Sequence, residues 1–409
     1  YDAEFRAGKG YFQPASVLAS VGMLAAATGA GASKYVARRR TPVWNAEKCT
    51  QCLECIVVCP DTALPNTAQD LGDVLRTSVR QYVADAAGRE SLLAKLKTLE
   101  DRVRAQMNAA VAAKQTTPFA QIVQRELEAL EGLPAQARAE LGAILSKVHF
   151  AYAKTPLIFS ALEKKKAGEG GVFSIMVSDL CKGCGECVDA CGEHMALEMR
   201  DETEELNADH ATQVNFLRAL PETRQKFLGM FDTEHPEESK PVALKNHLMV
   251  RRNYEAMVSG DGACAGCGEK SVLRGLASVT EAYMRPLFHA KARRLEQKAA
   301  RLEQEGARRL NLLRERYPAD YERFCRAFSH LVMGIGGEND QDTRQRQDQV
   351  GLPADADIIG GLCAVMRQDA FAHRDLQAVD GRISNGMAAM AMGAHTGCNT
   401  VFGSTPPNN

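Results

Sequence analysis

The stretch that decides the fold is CTQCLECIVVCP, residues 49–60. It contains a C-x2-C-x2-C-x3-C-P run, formed by Cys49, Cys52, Cys55 and Cys59. The same spacing recurs in residues 181–191, CKGCGECVDAC, with Cys181, Cys184, Cys187 and Cys191. Three closely spaced cysteines can wrap a loop around one iron–sulfur cube, whereas the fourth turns into the following helix. The duplicated run therefore predicts two 4Fe–4S clusters.

The fourth cysteine of each run crosses over in two-cluster ferredoxins and ligates the other cluster. Applied to this chain, the rule assigns one cluster to Cys49, Cys52, Cys55 and Cys191. It assigns the other cluster to Cys181, Cys184, Cys187 and Cys59. Both runs must then lie in one small α+β unit with approximate twofold symmetry, so residues 60–180 must loop out and return. Gly192 stands where the motif usually has proline, which removes no ligand.

The composition narrows the function classes. The 409 residues include 50 Lys and Arg against 51 Asp and Glu, a balance that argues against a nucleic-acid binder. Hydrophobic residues make up 45% of the chain, which argues against a disordered polyelectrolyte. The 13 cysteines are bunched, so they suit a shared metal in a reducing, cytoplasmic compartment better than a disulfide framework. Zinc is the alternative metal, but it favours paired C-x2-C knuckles separated by about a dozen or more residues.

The flanks of the first run set the domain boundaries. Residues 1–43 are rich in Ala and Gly and predict a linking segment. Within them, residues 14–33 carry no charge, but small residues dominate, so we expect a buried helix or linker and no membrane span. Residues 44–205 predict the two-cluster ferredoxin-like domain, interrupted by a helical insertion over 67–170. Breaks at Thr117–Pro118 and at Pro134 divide that insertion into several helices, and residues 166–173 predict a turn.

The second half of the chain is more mixed. Residues 206–255 are polar and broken by prolines, which predicts a linker. A charged helical insertion is expected over 284–330, because apolar residues recur at steps of three and four along 284–317. These residues are Phe288, Ala292, Leu295, Ala299, Leu302, Gly306, Leu310, Leu313 and Tyr317. The helix packs on its own domain as a hairpin or docks on a partner subunit. Residues 331–381, with LVMGIGGEND and DIIGGLCAVM, indicate α/β structure with turns.

A third group of cysteines follows the ferredoxin-like region. Cys264 and Cys267 lie in GACAGCGE, and Cys398 lies in HTGCNTVFG. A lone C-x2-C pair is ambiguous between zinc, thiol redox chemistry and half a cluster site. Together with the two cysteine runs, in this order, the motifs resemble the pyruvate:ferredoxin oxidoreductase family of thiamine-diphosphate 2-oxoacid oxidoreductases. The resemblance spans residues from about 44 to 409 and implies that 256–409 is part of an α/β thiamine-diphosphate-binding domain.

The resemblance also implies a set of cofactor ligands. Cys264, Cys267 and Cys398 would supply three ligands of a third 4Fe–4S cluster, with the fourth beyond this chain. Glu269 and Cys398 would lie beside thiamine diphosphate, and its Mg²⁺ ligands would be mostly outside the chain. The alternatives are a carboxylate favoured by a helix N-terminus for Glu269 and a buried thiol for Cys398. The GDG at 260–262 resembles the family's magnesium motif but lacks the following Asn, so we interpret it as a turn.

The remaining candidate residues have simpler interpretations. Cys325 and Cys363 have no cysteine partner at a spacing that suits a shared metal. We therefore predict that both are thiols buried in the core. His395 predicts a core or supporting histidine, and the GIGG at 334–337 predicts a turn rather than a phosphate loop.

As a function, the resemblance implies oxidative decarboxylation of a 2-oxoacid, with pyruvate favoured, to an acyl-CoA by the full-length enzyme. Electrons would pass through three clusters to a soluble ferredoxin or flavodoxin. Because residue 1 is Tyr, we expect a piece of a longer polypeptide or complex. We also expect this piece to be inactive alone and to be part of a homo-oligomer. The alternative is a non-catalytic, polyferredoxin-like electron-transfer subunit of another complex.

Overall fold

The computed structural model describes residues 7–8, 38–232, 235, 241–255, 268–333, 352–374, 378–379 and 382–383. Two compact units divide them, the first ending at Met284 and the second beginning at Arg285. The linking segment expected over 1–43 lies mostly outside the described residues. Among the helices that are described, none is both long and apolar enough to cross a lipid bilayer.

The elements are short strands and many helices. The first elements in chain order are β1 (Arg40–Trp44), α1 (Glu54–Val58), β2 (Asn66–Asp70), α2 (Leu71–Tyr82), α3 (Ala86–Ala112), α4 (Phe119–Glu128), α5 (Ala135–Lys147) and α6 (Ser160–Lys165). They are followed by β3 (Gly171–Ile175), α7 (Glu186–Cys191), β4 (Leu197–Asp201), α8 (Glu204–Ala219), α9 (Gln225–Leu228), α10 (Pro241–Asn246) and α11 (Arg251–Glu255). The last elements are α12 (Gly268–Arg316), α13 (Pro318–Met333), α14 (Asp355–Ala372), β5 (Ala378–Val379) and β6 (Arg382–Ile383).

The two cysteine runs lie in two similar halves of the first unit. Each half runs from a strand through a cysteine loop and a short helix to a second strand. Strand β1 pairs antiparallel with β4, so Trp44 lies opposite Leu197. Strand β2 pairs antiparallel with β3, so Asn66 lies opposite Ile175. Each two-stranded sheet therefore takes one strand from each half, and helices α1 and α7 contact each other. The result is an α+β, ferredoxin-like arrangement in which the two cysteine loops are neighbours.

Helices α2 to α6 fill the connection between β2 and β3. Helices α4 and α5 begin directly after Pro118 and Pro134, as predicted, because proline cannot donate the backbone hydrogen bond of a helix interior. The side chain of Asp85 caps α3 by accepting a 2.6 Å hydrogen bond from the backbone of Gly88. The insertion has its own apolar core, which includes Leu99, Val103, Ile122, Leu141 and Phe150.

The edges of this insertion correct the sequence-based prediction. Residues 67–70 were expected to be helical and 171–173 to form part of a turn, but both stretches are buried strands, β2 and β3. Strand β2 has the polar sequence NTAQD, so no hydrophobic pattern in the sequence indicates that the strand is buried. Two of its side chains are hydrogen-bonded inside the protein, since Thr67 bonds the hydroxyl of Thr223 at 3.0 Å and Gln69 donates to the carbonyl of Pro221 at 2.8 Å.

The expected linker over 206–255 is structured wherever it is described. It forms α8 to α11 and a 3₁₀ turn at His247–Met249. The Tyr254 hydroxyl accepts a 3.0 Å hydrogen bond from the backbone of Leu64, and Gln51 donates to Asn246 at 3.0 Å. These residues therefore pack on the cysteine loops. There they form hydrogen bonds with polar groups that the two halves leave buried inside the unit.

The second unit contains helices α13, α14 and the C-terminal part of α12. The helix expected over 284–317 is present within α12, and a small core of Leu310, Tyr321, Cys325, Phe328 and Ile358 joins the three helices. The turns expected at the glycines of DIIGGLCAVM are corrected, because these residues lie in α14. Its two adjacent glycines suggested turns, but Gly361 lies so close to the ring of Phe328 that a Cβ would be 2.7 Å from it. Tertiary packing therefore explains at least one of the glycines.

Candidate metal centre

The two cysteine loops share one backbone conformation. Gln51 and Leu53 in the first loop have φ of 61° and 63°, in the left-handed region. Gly183 and Gly185, at the equivalent positions of the second loop, have φ of 70° and 88°. Left-handed residues turn the chain sharply, so successive cysteines point toward a common interior. The second loop uses glycine at both positions, whereas the first holds two side chains in a conformation that costs free energy.

Backbone N–H groups point at the cysteine sulfurs in both halves. Gln51 N lies 3.5 Å from Cys49 Sγ, and Gly183 N lies 3.4 Å from Cys181 Sγ. The fourth cysteine of each run has a similar donor. Ala63 N lies 3.2 Å from Cys59 Sγ, and Ala196 N lies 3.2 Å from Cys191 Sγ. Such donors stabilise negative charge on sulfur, which suits thiolate ligands.

Two cavities lie between the halves, each with about 330 Å³ not filled by protein atoms, part of it open to solvent. The first cavity is lined by Cys49, Cys52, Cys55 and Cys191. The second cavity is lined by Cys59, Cys181, Cys184 and Cys187. Each cavity thus combines three cysteines of one run with the fourth of the other, which is the grouping that the crossover rule assigns. That these sulfurs bind iron stays a prediction.

Burial makes these thiols hard to ionise. It raises the pKa of Cys49 to about 11, with the neighbouring Cys52 and Cys191 adding to the rise. The pKa values of Cys55 and Cys187 are also raised, first by burial and then by the surrounding cysteines. Four thiolates around one cavity would repel each other strongly in a medium of low dielectric constant. A cationic metal group in the cavity offsets that repulsion, so the donor set fits a thiolate-bound iron–sulfur cube.

The number of sulfurs around each cavity suits one iron–sulfur cube. The eight cysteines form no disulfide and stand around the two cavities, four at each. A cube of four iron and four sulfur atoms is held by four cysteine thiolates.

Aromatic side chains close the first cavity. Trp44 and Phe173, both in its lining, contact each other edge to face with their centroids 6.2 Å apart. The indole N–H of Trp44 lowers the pKa of Cys49, although its geometry falls short of a full hydrogen bond. Leu53, Ile175 and Leu197 complete an apolar wall around the four sulfurs.

The third group of predicted ligands cannot be placed in the same way. Cys264, Cys267 and Cys398 lie outside the described residues, as do the GDG at 260–262, the GIGG at 334–337 and His395. Glu269 lies in the first turn of α12, but its side chain is outside the described part. Cys325 and Cys363 are buried in the second unit, and Cys363 donates to the carbonyl of Ala299 at 3.5 Å. The prediction of core thiols for these two is confirmed.

Two arginines near the second cavity were not predicted from the sequence. Arg274 of α12 and Arg38, before β1, both donate hydrogen bonds to backbone carbonyls of cysteines in its lining. Neither belongs to a motif or has a distinctive spacing from the cysteine runs. No pattern in the chain could have marked them.

Comparison with known proteins agrees with this site. A 4Fe-4S binding domain family matches residues 41–64, which contain the first cysteine run. A pyruvate:ferredoxin oxidoreductase of Moorella thermoacetica is 31% identical over 105 residues, which is 25% of this chain and 8% of that protein. The match thus spans less than a tenth of the relative's length. No solved structure matches the chain.

These observations define a class. Residues 41–64 match a 4Fe-4S binding domain, which supports an iron–sulfur protein that takes part in electron transfer. A quarter of the chain is also similar to an oxidoreductase.

Proposed function

We propose that the chain binds two 4Fe–4S clusters with crossed ligand sets and passes electrons between them. The observation that carries the proposal is the pair of cavities, each lined by four cysteines from both runs. The first cluster takes Cys49, Cys52, Cys55 and Cys191, and the second takes Cys59, Cys181, Cys184 and Cys187. Each cluster, when bound, accepts and releases one electron at low potential.

The protein's own residues prepare both sites. The left-handed turns at Gln51, Leu53, Gly183 and Gly185 direct the cysteines inward. Backbone N–H groups support the charge on the sulfurs. The apolar wall around Trp44 reduces the contact of the first cavity with water, which favours a low reduction potential there.

We further propose that the two-cluster unit serves a 2-oxoacid:ferredoxin oxidoreductase acting on pyruvate in the cytoplasm. Support comes from the ordered motifs and from the similarity to a pyruvate:ferredoxin oxidoreductase. In this proposal Cys264, Cys267 and Cys398 hold a third cluster, and Glu269 and Cys398 approach thiamine diphosphate within residues 256–409. Mg²⁺, the 2-oxoacid and coenzyme A are bound mainly by other parts of the enzyme. The acceptor is a soluble ferredoxin or flavodoxin, and the assembly is a homo-oligomer.

Anaerobic iron and acid-labile sulfide analysis of the chain tests the first proposal. We expect about eight iron and eight sulfide per chain from the two runs. The crossed ligand sets predict that Cys191→Ser alters the same EPR signal as Cys49→Ser and leaves the other signal intact. Cys325→Ser, a buried thiol of the second unit, is the matched control and should leave both signals unchanged. Zinc without sulfide, or a Cys191→Ser effect on the Cys181 cluster, contradicts the proposal.

The same analysis of the complete parent protein tests the finer proposal. About 12 iron and 12 sulfide, with thiamine diphosphate bound, are expected for three clusters. Cys398→Ser should then abolish the third cluster and most pyruvate turnover while the other two clusters remain reducible. A parent protein with only two clusters and no thiamine diphosphate would instead be a non-catalytic electron-transfer subunit.

A further inference from the structure

Arg274 is a fully buried arginine next to the second cavity. Its guanidinium donates a 2.7 Å hydrogen bond to the Thr62 hydroxyl and a 3.1 Å bond to the Val57 carbonyl. It also donates to the carbonyl of Cys59, whose sulfur lines the second cavity. The guanidinium carbon lies 5.4 Å from the centre of the Tyr254 ring, which covers one face of the charge. The arginine is thus held rigidly beside one ligand of one site.

No carboxylate appears among the described contacts of Arg274. Its partners are a hydroxyl, backbone carbonyls and an aromatic ring, all neutral groups. Desolvation strengthens the field of a charge, because water no longer screens it. Burial raises the pKa of the Cys59 thiol, and the positive charge of Arg274 is the largest influence that opposes this rise.

Arg38 adds a weaker positive charge to the same cavity. It donates a 2.7 Å hydrogen bond to the carbonyl of Cys181. Its charge is partly balanced, because Glu202 accepts another of its hydrogen bonds at 3.1 Å. Lys182 also lines the second cavity, where Asp61 contributes the opposite charge.

The first cavity has a different character. Beyond the cysteines its lining is mainly apolar, with Trp44, Leu53, Phe173 and Ile175, and its polar members are Thr50, Gln51 and His194. Burial is the largest cause of the raised pKa values of Cys49 and Cys55, and neighbouring cysteines add to the rise. The second cavity also reaches solvent through Cys184, which is exposed, whereas Cys52 of the first cavity is only partly exposed.

We infer that Arg274, assisted by Arg38, raises the reduction potential of the cluster in the second cavity above that of the first. This inference rests on the proposed cluster ligation. Reduction adds one negative charge to the site, and a buried cation stabilises that charge. One electron then moves favourably from the Cys49 side to the Cys181 side, without any bond forming or breaking. Exposed Cys184 marks where an external acceptor can approach.

The test is an anaerobic redox titration of the full chain, followed by EPR, with iron counted in every sample. The signal that changes in Cys184→Ser identifies the cluster of the second cavity. We expect two midpoint potentials, with the higher one at that cluster. Arg274→Met should lower this potential by an amount that corresponds to a tenfold change in the reduction equilibrium constant, about 59 mV for one electron. The potential of the first-cavity cluster should stay the same.

Matched variants separate charge from packing. Arg274→Lys keeps the charge and should retain most of the potential that Arg274→Met loses. Arg285→Met is the control, because Arg285 lies on the same helix, is equally buried and donates to the carbonyl of Arg374 in the second unit. It should shift neither potential. If Arg274→Met fails to hold clusters, the same titration is made on Arg38→Gln. We expect a smaller decrease in the midpoint potential of the same cluster.

The outcomes distinguish this inference from the proposed function. Two clusters per chain with no shift in Arg274→Met or in Arg38→Gln would overturn the inference alone. Equal shifts at both clusters would overturn it too, since the two arginines face one cavity. Fewer than two clusters in the unaltered chain would contradict the ligation on which it rests.

Discussion

The guanidinium of Arg274 donates a hydrogen bond to the backbone carbonyl of Cys59, which lies 215 positions earlier in the chain. The bond joins the first part of α12 to the end of the first cysteine run. Tyr254 lies against the same guanidinium and also accepts a hydrogen bond from Leu64. Residues far beyond the ferredoxin-like motifs therefore complete the environment of the second cavity.

The two glycines of the second cysteine loop should differ in their tolerance of a side chain. Both have positive φ, but a Cβ on Gly183 would collide with the backbone carbonyl of Arg40, whereas a Cβ on Gly185 meets nothing within 4 Å. We expect Gly185→Ala to cost about 1–2 kcal/mol from backbone strain alone. Gly183→Ala should cost clearly more and lower the iron content. Urea unfolding of both variants measures the difference, and equal costs would show that the close approach to Arg40 is not rigid.

Arg104 should be essential to the helical insertion. It donates to Glu100 at 2.9 Å and to the carbonyl of Gly170 at 2.7 Å, and it also pairs with Glu163. Removing one member of a buried ion pair leaves an unpaired charge, so Arg104→Met should destabilise the unit by about 3–5 kcal/mol.

Arg102→Met is the control for this prediction. Arg102 lies on the same helix but is exposed, with one 3.3 Å hydrogen bond to the carbonyl of Ala129. Its replacement should change stability by less than about 0.5 kcal/mol. Hydrogen exchange at the insertion reports both variants, and a similar small effect for Arg104→Met would contradict the role of the buried pair.

His210 should make the stability of the first unit depend on pH. Burial, and after it the charge of Arg38, lowers the pKa of His210 from 6.5 to about 4. The unfolded chain therefore binds a proton between pH 6.5 and about 4 where the folded chain does not, so stability falls as the pH drops through that range. Between pH 6.5 and 5 the loss should be about 2 kcal/mol.

Urea unfolding midpoints measured from pH 8 to pH 5 check this dependence. His210→Gln should flatten the curve over that interval. His235→Gln, at an exposed histidine, should leave the curve unchanged. A curve that is the same in His210→Gln and in the unaltered chain would assign the pH dependence to other groups.

Adjacent glycines of α14 should respond to alanine with opposite signs. Gly360 has open space where a Cβ would be, so Gly360→Ala should stabilise the second unit by about 0.5–1 kcal/mol through helix propensity. A Cβ on Gly361 would lie 2.7 Å from the Phe328 ring, so Gly361→Ala should destabilise the unit by about 1–3 kcal/mol. Thermal unfolding compares the two, and stabilisation by both would mean that Phe328 can move aside.

Part of the fold followed from local sequence alone. The helical insertion is interrupted at Pro118 and Pro134 as expected, and a helix begins directly after each, because the effect of a proline on the backbone does not depend on distant residues. Strand β2 did not follow, since its polar residues Gln69 and Thr67 are hydrogen-bonded to Pro221 and Thr223 from a later segment. The helix through Gly360 and Gly361 was also missed, because the packing on Phe328 that explains Gly361 is a tertiary contact.

The sequence by itself determined the pattern of cysteines at the site. The spacing of Cys49, Cys52 and Cys55 predicts thiolate ligation of an iron–sulfur cube, because it fixes how far a loop can wrap around one centre. The crossover rule predicted which sulfurs share a cavity. Only the tertiary structure decided which charges surround them. The pairing of β1 with β4 and β2 with β3 places the halves together, and the fold then buries Arg274 against Cys59. Burial and long-range contact set the electrostatic field at a site, and neither is encoded in local spacing.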